Sequence, residues 1–282
     1  MEHYDILIIG GGAAGIAAAK AAGSAKVLLA DRKSKLGGVL LQCTHHGFGK
    51  NKSGIEYAAD LIKDFPKEIS LALNTTVLSV SDDKTAVLSG KEFGRKQISF
   101  SRLILATGCR EIPIGALPIA GTRPKGVYTA GQMQEMMNLH GYLPEGPVVI
   151  LGSGDLGLIM AKQLAEAGLA VTLVEKKGQC GGMARNQRCL QEFPIQLLCD
   201  DTIVQIQGYP RITACVTGKG IFISCKTLLI AAGLRPEREL IAHLGNPEWL
   251  YICGNCNTVH PMVEAVVNEG KQAGQAALKQ MR

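Results

Sequence analysis

The sequence predicts an α/β protein in which one strand–helix–strand unit occurs twice along the chain. A glycine pattern, G-x-G-x-x-G, stands at residues 10–15 and again at 152–157; both copies follow an apolar strand and open a helical stretch. An apolar strand that ends in Ala-x-Gly closes each half, at 103–108 and at 228–233. These observations indicate two similar domains within the 282 residues.

The first half alternates strands and helices in the order that such a unit requires. The predicted elements are a strand at 5–9, a helix at 13–23, a strand at 26–30, a helix at 54–64 and a strand at 69–73. Alternating polarity predicts an antiparallel meander at 76–80, 86–88 and 98–100, followed by an apolar strand at 103–106. Pro113, Pro118 and Pro124 predict an extended connection out of this domain.

The second half opens at Pro147 and repeats this order. Its predicted later strands are at 195–199, 203–206, 212–216, 221–225 and 228–230. A strand at 249–252 and a helix from about 261 to 280 complete the pattern. This last block would have to return to the first domain if the second domain is inserted within it.

Each residue type in the glycine pattern has its own physical role. The first glycine turns the chain, the second lets backbone N–H groups approach a pyrophosphate, and the third lets the helix pack closely on the strand. The helix N-terminus adds partial positive charge. Asp31 lies 21 positions after Gly10 and Glu175 lies 23 positions after Gly152, where a carboxylate accepts hydrogen bonds from ribose hydroxyls. The sequence therefore predicts two dinucleotide sites.

Composition argues against several other functions. The net charge is a moderate +6 and only 5% of the residues are aromatic, so nucleic-acid binding is not expected. No run of about 18 apolar residues lacks a charge, so no membrane span is expected. Glu2 and Asp5 are unlike the positive start of a signal peptide. Nine cysteines without an export signal favour a reducing compartment, and we expect a cytoplasmic protein.

The motifs, taken in order, resemble those of the pyridine nucleotide–disulfide oxidoreductases, which are flavoproteins with two dinucleotide-binding domains. Gly10–Gly15 with Asp31 is similar to their FAD fingerprint. Gly152–Gly157 with Glu175 is similar to their NAD(P)H fingerprint. The resemblance implies FAD and NAD(H) as cofactors. Glu175 favours NAD(H) over NADP(H), because its carboxylate would repel a 2′-phosphate.

Two further motifs extend the resemblance to the end of the chain. Leu103–Gly108 is similar to the strand that crosses the flavin domain, and Gly254-Asn255 stands where these proteins carry Gly-Asp. The implied fold is α/β, with two Rossmann-like domains of three-layer ββα architecture and the NAD domain inserted into the FAD domain. The implied boundaries are 1–115 and 227–282 for the two parts of the FAD domain and 116–226 for the NAD(H) domain.

Four segments, at 36–49, 106–111, 121–124 and 184–186, resemble one subgroup more closely. It contains FAD/NAD-dependent oxidoreductases found beside anaerobic-type glycerol-3-phosphate dehydrogenases and related two-component amine or hydroxy-acid dehydrogenases. The resemblance implies an oligomer, a small-molecule redox substrate and a partner dehydrogenase subunit. Asn255 departs from the superfamily acid, although this subgroup commonly carries Gly-Asn.

In such proteins the segment after Gly38 passes along the flavin ring, so Cys43 and His45 are the candidate catalytic residues. A thiolate beside the flavin can form a charge-transfer contact or a transient adduct, and a nearby imidazolium would lower its pKa. The alternative is that Cys43 is a small buried residue and that His45 only hydrogen-bonds backbone or flavin. For His46, a structural role is favoured over a catalytic one.

Cys253 and Cys256 form the only C-x-x-C in the chain. A second pair is missing, so no metal site is predicted, and a redox role for the pair is the less favoured interpretation. His260 opens the last helix, whose N-terminus faces the flavin pyrimidine end in relatives. A capping or packing role for His260 is at least as well supported as a role at the flavin.

The motifs and the resemblance together assign cofactor contacts to the fingerprints, the acids and the strand ends. These residues are Gly10, Gly12, Ala13, Ala14, Gly15, Asp31, Arg32, Gly38, Val77, Ala106, Thr107, Gly108, Gly152, Gly154, Asp155, Leu156, Gly157, Glu175, Gly233, Gly254 and Asn255.

Three functions are consistent with the sequence. The leading hypothesis is hydride transfer between NAD(H) and FAD, with electron exchange to a partner subunit or a small acceptor. The second is a disulfide or peroxide reductase that uses Cys43 alone, because the C-x4-C and C-x-x-C pairs of the dithiol reductases are missing from the corresponding positions. The third is a non-catalytic subunit that binds FAD.

Overall fold

The computed structural model describes residues 1–23 and 25–280, and the chain divides into two compact units. Unit 1 consists of Met1–Arg110 and Arg235–Arg282, and unit 2 consists of Glu111–Leu234. Unit 2 is therefore inserted in the sequence of unit 1, and both units contain parallel sheets with helices. The predicted α/β fold class is confirmed.

The elements are numbered in chain order. Up to residue 111 they are β1 (Glu2–Ile9), α1 (Ala13–Ala21), β2 (Val27–Ala30), β3 (His46–Phe48), β4 (Lys52–Ser53), α2 (Gly54–Ile62), β5 (Ser70–Ala72), β6 (Thr75–Val80), β7 (Thr85–Gly90), β8 (Gly94–Leu105) and β9 (Cys109–Glu111). They continue with β10 (Ala120–Gly121), β11 (Val127–Thr129), α3 (Ala130–His140), β12 (Val148–Leu151), α4 (Asp155–Glu166), β13 (Val171–Val174), α5 (Ala184–Gln187), α6 (Cys189–Glu192), β14 (Gln196–Leu198), β15 (Ile203–Gln207), β16 (Ala214–Thr217), β17 (Phe222–Ser224) and β18 (Thr227–Ile230). The last elements are β19 (Leu234–Pro236), β20 (Leu250–Ile252) and α7 (Val263–Lys279).

The sheet of unit 1 has the strand order β5-β2-β1-β8-β7-β6, and β20 pairs with β8. The strands β5, β2, β1, β8 and β20 run parallel, whereas β8, β7 and β6 form the antiparallel meander. Alternate residues of β1 point to opposite faces. Ile6 and Ile8 pack with α1 and α7, and Leu7 and Ile9 pack with the meander, which produces the three layers.

The strand β8 corrects one prediction. Its first half pairs with β7 and its second half with β20, so the two strands predicted at 98–100 and 103–106 are one continuous strand. Ser101 and Arg102 interrupt the apolar pattern at the place where β8 passes from the meander to the parallel sheet. Two polar residues in succession are typical of a loop, and the sequence alone therefore indicates a break.

The helices α1 and α7 approach each other unusually closely. An ideal Cβ at Gly270 would lie 2.2 Å from the carbonyl oxygen of Ala14, and one at Gly274 would lie 2.3 Å from that of Ala18. Glycine spaced four residues apart on one helix thus faces alanine spaced four apart on the other. This contact holds the C-terminal helix against the start of the first fingerprint helix.

Unit 2 is also built in layers, but the edge strands of its sheets differ from those of unit 1. Its parallel sheet has the order β11-β18-β12-β13-β14, and a second sheet has the order β10-β15-β16-β17. One core, which includes Met133, Leu158 and Leu173, lies on the helix side. Another, which includes Val149, Ile206 and Leu228, joins the two sheets.

The observed division differs from the predicted boundaries at 115/116 and 226/227. The strand β18 hydrogen-bonds to β11 and β12, so residues 227–234, with Gly233, lie in unit 2. Residue 111 also lies there, where the Glu111 carboxylate accepts a hydrogen bond from the Gly131 N–H at 2.8 Å. The assignment of FAD to unit 1 and NAD(H) to unit 2 stays a prediction.

Helix α3 is absent from the elements that the sequence predicts. The Thr129 side chain accepts a hydrogen bond from the Gln132 N–H and so caps its N-terminus, and Gly141 ends it in the left-handed conformation. Thr129-x-x-Gln132 is a capping signature that identifies such a helix. The three preceding prolines favour an extended connection instead. No helix among residues 1–23 and 25–280 is long and apolar enough to cross a membrane.

The contact between α1 and α7 generates a stability prediction. We expect Gly270→Ala to lower the free energy of unfolding of unit 1 by about 2–3 kcal/mol, because its methyl group would overlap backbone atoms of α1. The single tryptophan, Trp249, is buried in the core of unit 1, so its fluorescence during urea unfolding reports on this unit. Gly12→Ala in the apoprotein is the control in the same unit, since its Cβ would meet no atom within 4 Å. Equal unfolding midpoints for the two variants would contradict the prediction.

Candidate functional site

The first fingerprint is a turn in which two glycines are required by space. An ideal Cβ at Gly10 would lie 2.3 Å from the carbonyl oxygen of Ala106, and one at Gly15 would lie 1.8 Å from that of Gly10. Both distances are shorter than any real contact of a Cβ atom. The end of β1, the start of α1 and the end of β8 are therefore packed backbone against backbone.

Gly12 differs from these two glycines because the space that a side chain would occupy there is open. An ideal Cβ there would meet no atom within 4 Å, although Gly12 is the N-cap of α1. No side chain caps this helix, and its first turn contains no acidic residue. Free N–H groups and the helix dipole face an open space, which is the arrangement that binds a pyrophosphate. The residues present thus fit a dinucleotide.

The second fingerprint has the same three-glycine geometry. An ideal Cβ at Gly152 would lie 2.4 Å from the carbonyl oxygen of Ala231, one at Gly157 would lie 2.2 Å from that of Gly152, and one at Gly154 would meet no atom within 4 Å. The two sites differ at the next position, where unit 1 has Ala13 and unit 2 has Asp155.

The Asp155 carboxylate fastens a loop to the start of α4. Its Oδ1 accepts hydrogen bonds from the Met183 N–H at 2.7 Å and from the Asn186 amide at 2.6 Å. Leu156, in the same turn, is half-buried and packs against the helix-side core. The segment 184–186, which the subgroup resemblance singled out, therefore lies beside the second fingerprint.

The two acids at the strand ends hold the fingerprint loops. The Asp31 carboxylate accepts the Gly11 N–H at 2.5 Å and the Lys33 N–H at 2.7 Å. Glu175 accepts the Ser153 N–H at 2.8 Å and the Ser153 hydroxyl at 2.7 Å, and its other oxygen accepts the Lys177 N–H at 2.9 Å. Burial disfavours the charged form of Glu175, but these hydrogen bonds outweigh it and lower its pKa below the usual value. Glu175 is thus a buried carboxylate at neutral pH.

A Gly-Gly turn lies six positions after each acid, and the sequence motifs identified only the first. An ideal Cβ at Gly38 would lie 2.9 Å from the Cα of Gly12, and the Gly37 N–H donates to the Gly11 carbonyl at 2.8 Å. In unit 2 the Gly181 N–H donates to the Ser153 hydroxyl at 2.8 Å. The signal for the second turn is the equal spacing, from 31 to 37 and from 175 to 181.

The other predicted contacts of unit 1 gather unevenly around the start of α1. Gly254 is close, since an ideal Cβ there would lie 2.7 Å from the Ala14 Cβ. Thr107 donates its hydroxyl to the Glu237 carbonyl at 2.6 Å, and Gly108 accepts the Glu237 N–H at 3.0 Å. Val77 packs against the meander core on β6, the strand whose first residue donates its N–H to the Asp31 carbonyl. Arg32 is exposed beside Asp31.

The structure does not support a reactive thiolate at Cys43. Its side chain is 8% exposed and donates to the Val39 carbonyl at 3.3 Å. Burial raises the pKa of the thiol to about 12. The His45 ring lies 5.2 Å from the Phe48 ring, centroid to centroid.

The C-x-x-C pair is packed as part of the fold. The Cys256 thiol donates to the carbonyl oxygens of Leu105 and Cys253, each at 3.2 Å. Burial raises the pKa of the Cys253 thiol as well. Among residues 1–23 and 25–280, no group of three His, Cys, Asp or Glu side chains is arranged to hold a metal ion. Both thiols therefore act as small buried groups, Cys253 directly before the turn formed by Gly254–Asn257 and Cys256 within it.

The family model for pyridine nucleotide-disulphide oxidoreductases matches residues 4–255. The HcnB component of hydrogen cyanide synthase from Pseudomonas protegens is 32% identical over 277 residues, which cover 85% of this chain and 58% of that protein. The alpha subunit of sarcosine oxidase from Rhizobium meliloti is 28% identical over 88% of this chain and 26% of its own. An opine oxidase subunit of Agrobacterium tumefaciens is 32% identical over 60% of this chain and 36% of its own. The chain thus spans between 26% and 58% of the length of these relatives.

Solved structures agree in fold. The thioredoxin reductase of T. acidophilum has a TM-score of 0.80 and 18% identity, and the match covers 100% of this chain and 99% of that one. The thioredoxin reductase of Lactococcus lactis has a TM-score of 0.79 and 19% identity, with 98% of both chains covered. At these identities the comparison shows the fold.

The open glycines provide a matched pair of variants. We expect Gly12→Ala to keep the fold but to lower FAD retention at least about tenfold, because its methyl group would occupy the space at the start of α1. Gly154→Ala should weaken NADH binding to a similar extent and leave FAD bound. Flavin content after gel filtration and titration with NADH measure the two effects. FAD retained by the first variant, or lost from the second, would contradict the assignment.

Burial of Cys43 predicts slow alkylation. With a pKa near 12 in place of the ordinary 9, the thiolate fraction at pH 8 falls about a thousandfold, and it rises only as the pH approaches 12. We expect iodoacetamide to modify Cys43 about a thousandfold more slowly in the folded protein than in urea, as followed by peptide mass spectrometry. Equal rates in the two states would show an accessible thiolate.

Proposed function

The chain belongs to the pyridine nucleotide-disulphide oxidoreductase family, and from this premise we propose that it transfers a hydride between NAD(H) and FAD and exchanges the electrons with a partner subunit or a small acceptor. As a family member it is an FAD-dependent NAD(P)H oxidoreductase. FAD supplies the two-electron chemistry, and the protein supplies binding, orientation and electrostatics. The observation that carries the proposal is the repeated open glycine at a helix start, followed by a carboxylate at the end of the next strand.

In this proposal unit 1 holds FAD. The first turn of α1 binds the pyrophosphate at Gly12, and Asp31 accepts hydrogen bonds from the adenosine ribose. The absence of an acidic residue from this first turn supports the assignment, because nothing there opposes a doubly charged ligand. Gly38 and Gly254 pack against the same turn and border the site.

Unit 2 holds NAD(H), with Gly154 at the pyrophosphate and Glu175 at the ribose. Three hydrogen bonds fix the Glu175 carboxylate, which would repel the 2′-phosphate of NADP(H). Lys176 and Lys177 would attract that phosphate, but both side chains are exposed to solvent. A fixed, buried charge acts more strongly than exposed charges that water screens. We therefore propose NADH as the nucleotide.

A partner subunit is the second part of the proposal. The curated relatives are named as subunits of hydrogen cyanide synthase, sarcosine oxidase and opine oxidase. Together with the segments at 36–49 and 184–186, these names support a role beside a dehydrogenase of the two-component amine or hydroxy-acid type, in the subgroup that also accompanies glycerol-3-phosphate dehydrogenases. Co-purification from the native source would identify that subunit.

The alternative of a reductase that uses Cys43 has less support, because such a mechanism needs a thiolate and burial favours the neutral thiol. The non-catalytic alternative predicts that FAD binds but is not reduced by NADH. The next experiment separates that alternative from the proposal.

We expect NADH to bleach the flavin absorbance at roughly 450 nm when it is mixed with the anaerobic holoprotein, and to do so faster than NADPH. Glu175→Gln should raise the NADPH-to-NADH rate ratio about tenfold, because it removes the charge that opposes the 2′-phosphate. Glu192→Gln, an exposed change in the same unit, is the control. Bound FAD without bleaching would contradict hydride transfer in the isolated chain. An unchanged rate ratio would contradict the role of Glu175.

A further inference from the structure

The 254–257 turn, Gly254–Asn257, is held by a carboxylate from α7. Glu269 Oε2 accepts the Gly254 N–H at 2.8 Å and lies 3.4 Å from the Asn257 amide nitrogen. Its Oε1 lies 2.6 Å from His260 Nε2. One side chain thus joins the first residue of the turn, the last residue of the turn and the segment that follows it.

Close packing fixes the position of this carboxylate. Glu269 precedes Gly270, whose ideal Cβ would lie 2.2 Å from the Ala14 carbonyl, so α7 packs backbone against backbone on α1 at this point. Gly254 packs against the Ala14 Cβ. The 254–257 turn, the start of α1 and Glu269 therefore meet around one residue of the first fingerprint helix.

A cation, Arg238, also contacts the turn. The Arg238 guanidinium donates to the carbonyl oxygens of Cys256 and Asn257 and to the Asn257 amide oxygen. Because Arg238 donates to carbonyl oxygens and Glu269 accepts from an N–H, neither can replace the other. Charge-assisted hydrogen bonds of this kind are the stronger ones in proteins.

The turn itself has no carboxylate. The Asn255 amide oxygen accepts the His260 N–H at 3.0 Å, which directs the amide and leaves its NH2 group as a donor. His260 is in turn bonded to Glu269. Asn255 is therefore oriented by a chain of contacts that begins at Glu269.

We propose that Glu269 is a positioning residue that holds the 254–257 turn, and Asn255 within it, in the conformation that binds FAD. This inference rests on the proposed function in one respect, namely that FAD is the ligand of unit 1. Glu269 acts through the Gly254 N–H and through His260. Its removal takes away these two contacts, while the Arg238 contacts and the fingerprint at 10–15 stay intact.

The test is FAD binding by purified apoprotein, followed by quenching of flavin fluorescence. Glu269→Ala should raise the FAD dissociation constant about 10- to 100-fold, because it removes every contact of the carboxylate. Glu269→Gln keeps one oxygen for the Gly254 N–H, while its NH2 group can face the His260 ring. We expect this variant to stay within about fivefold of wild type. Glu2→Gln is the control, since Glu2 binds Tyr4 and Lys96 at the other end of β1.

Two further readouts separate positioning from general stability. Loss of a residue that only stabilises the fold would lower the melting temperatures of apoprotein and holoprotein equally. Loss of a positioning residue would also reduce the increase in melting temperature that FAD binding produces. In a double-mutant cycle, the effects of Asn255→Ala and Glu269→Ala on FAD affinity should be non-additive, because Glu269→Ala already frees the Asn255 side chain.

Each outcome decides a separate point. If the wild-type apoprotein binds no FAD, the proposed function fails. If it binds FAD and Glu269→Ala retains the wild-type dissociation constant, the inference is overturned while the proposed function stands. Additive effects in the cycle would overturn it too. Loss of the folded state in both Glu269 variants would assign the residue to the stability of α7 and likewise overturn the positioning role.

Discussion

The structure of unit 1 depends on the close approach of backbones around the start of α1. Gly10 and Gly15 let β1, α1 and β8 meet without side chains between them, and Gly270 lets α7 meet α1 at Ala14. An added Cβ at any of these three glycines would lie within 2.3 Å of a carbonyl oxygen. Within the 10–15 turn, Gly12 stays open, so a ligand can approach the first N–H groups of α1 at this residue.

The same constraint recurs in unit 2, with one chemical difference. Both units have the closed, open and closed glycines, the acid at the end of the next strand and a Gly-Gly turn six positions later. Unit 1 connects its acid to Gly11, which has no side chain, whereas unit 2 uses Ser153, whose hydroxyl bonds to both Glu175 and Gly181. The Ser153 hydroxyl links Glu175 to the second Gly-Gly turn, whereas Gly11 links Asp31 to the first Gly-Gly turn through its backbone N–H and carbonyl.

The sequence predicts this framework well because its causes are local. A glycine pattern between an apolar strand and a helix, with an acid at fixed spacing, needs no knowledge of distant residues. The continuous strand β8 and the place of β18 depend instead on pairing between distant segments, which local polarity at Ser101 does not reveal. Glu269 is a similar case: it lies 15 residues after Gly254, and only the packing of α7 on Ala14 brings its carboxylate to the 254–257 turn. The burial that raises the pKa of Cys43 is likewise a property of the folded core.

The difference at Ala13 and Asp155 separates the roles of the two sites. A carboxylate in the first turn of a helix takes up part of the positive potential that would otherwise act on a phosphate. In the first turn of α4, the Asp155 carboxylate accepts hydrogen bonds from the Met183 N–H and the Asn186 amide. The first turn of α1 contains no acidic residue. The site at α1 therefore offers the stronger attraction for a pyrophosphate. Under the proposed function FAD stays bound through many turnovers, while NAD(H) must enter and leave in each one, and the sequence places the acid at the site that has to release its ligand.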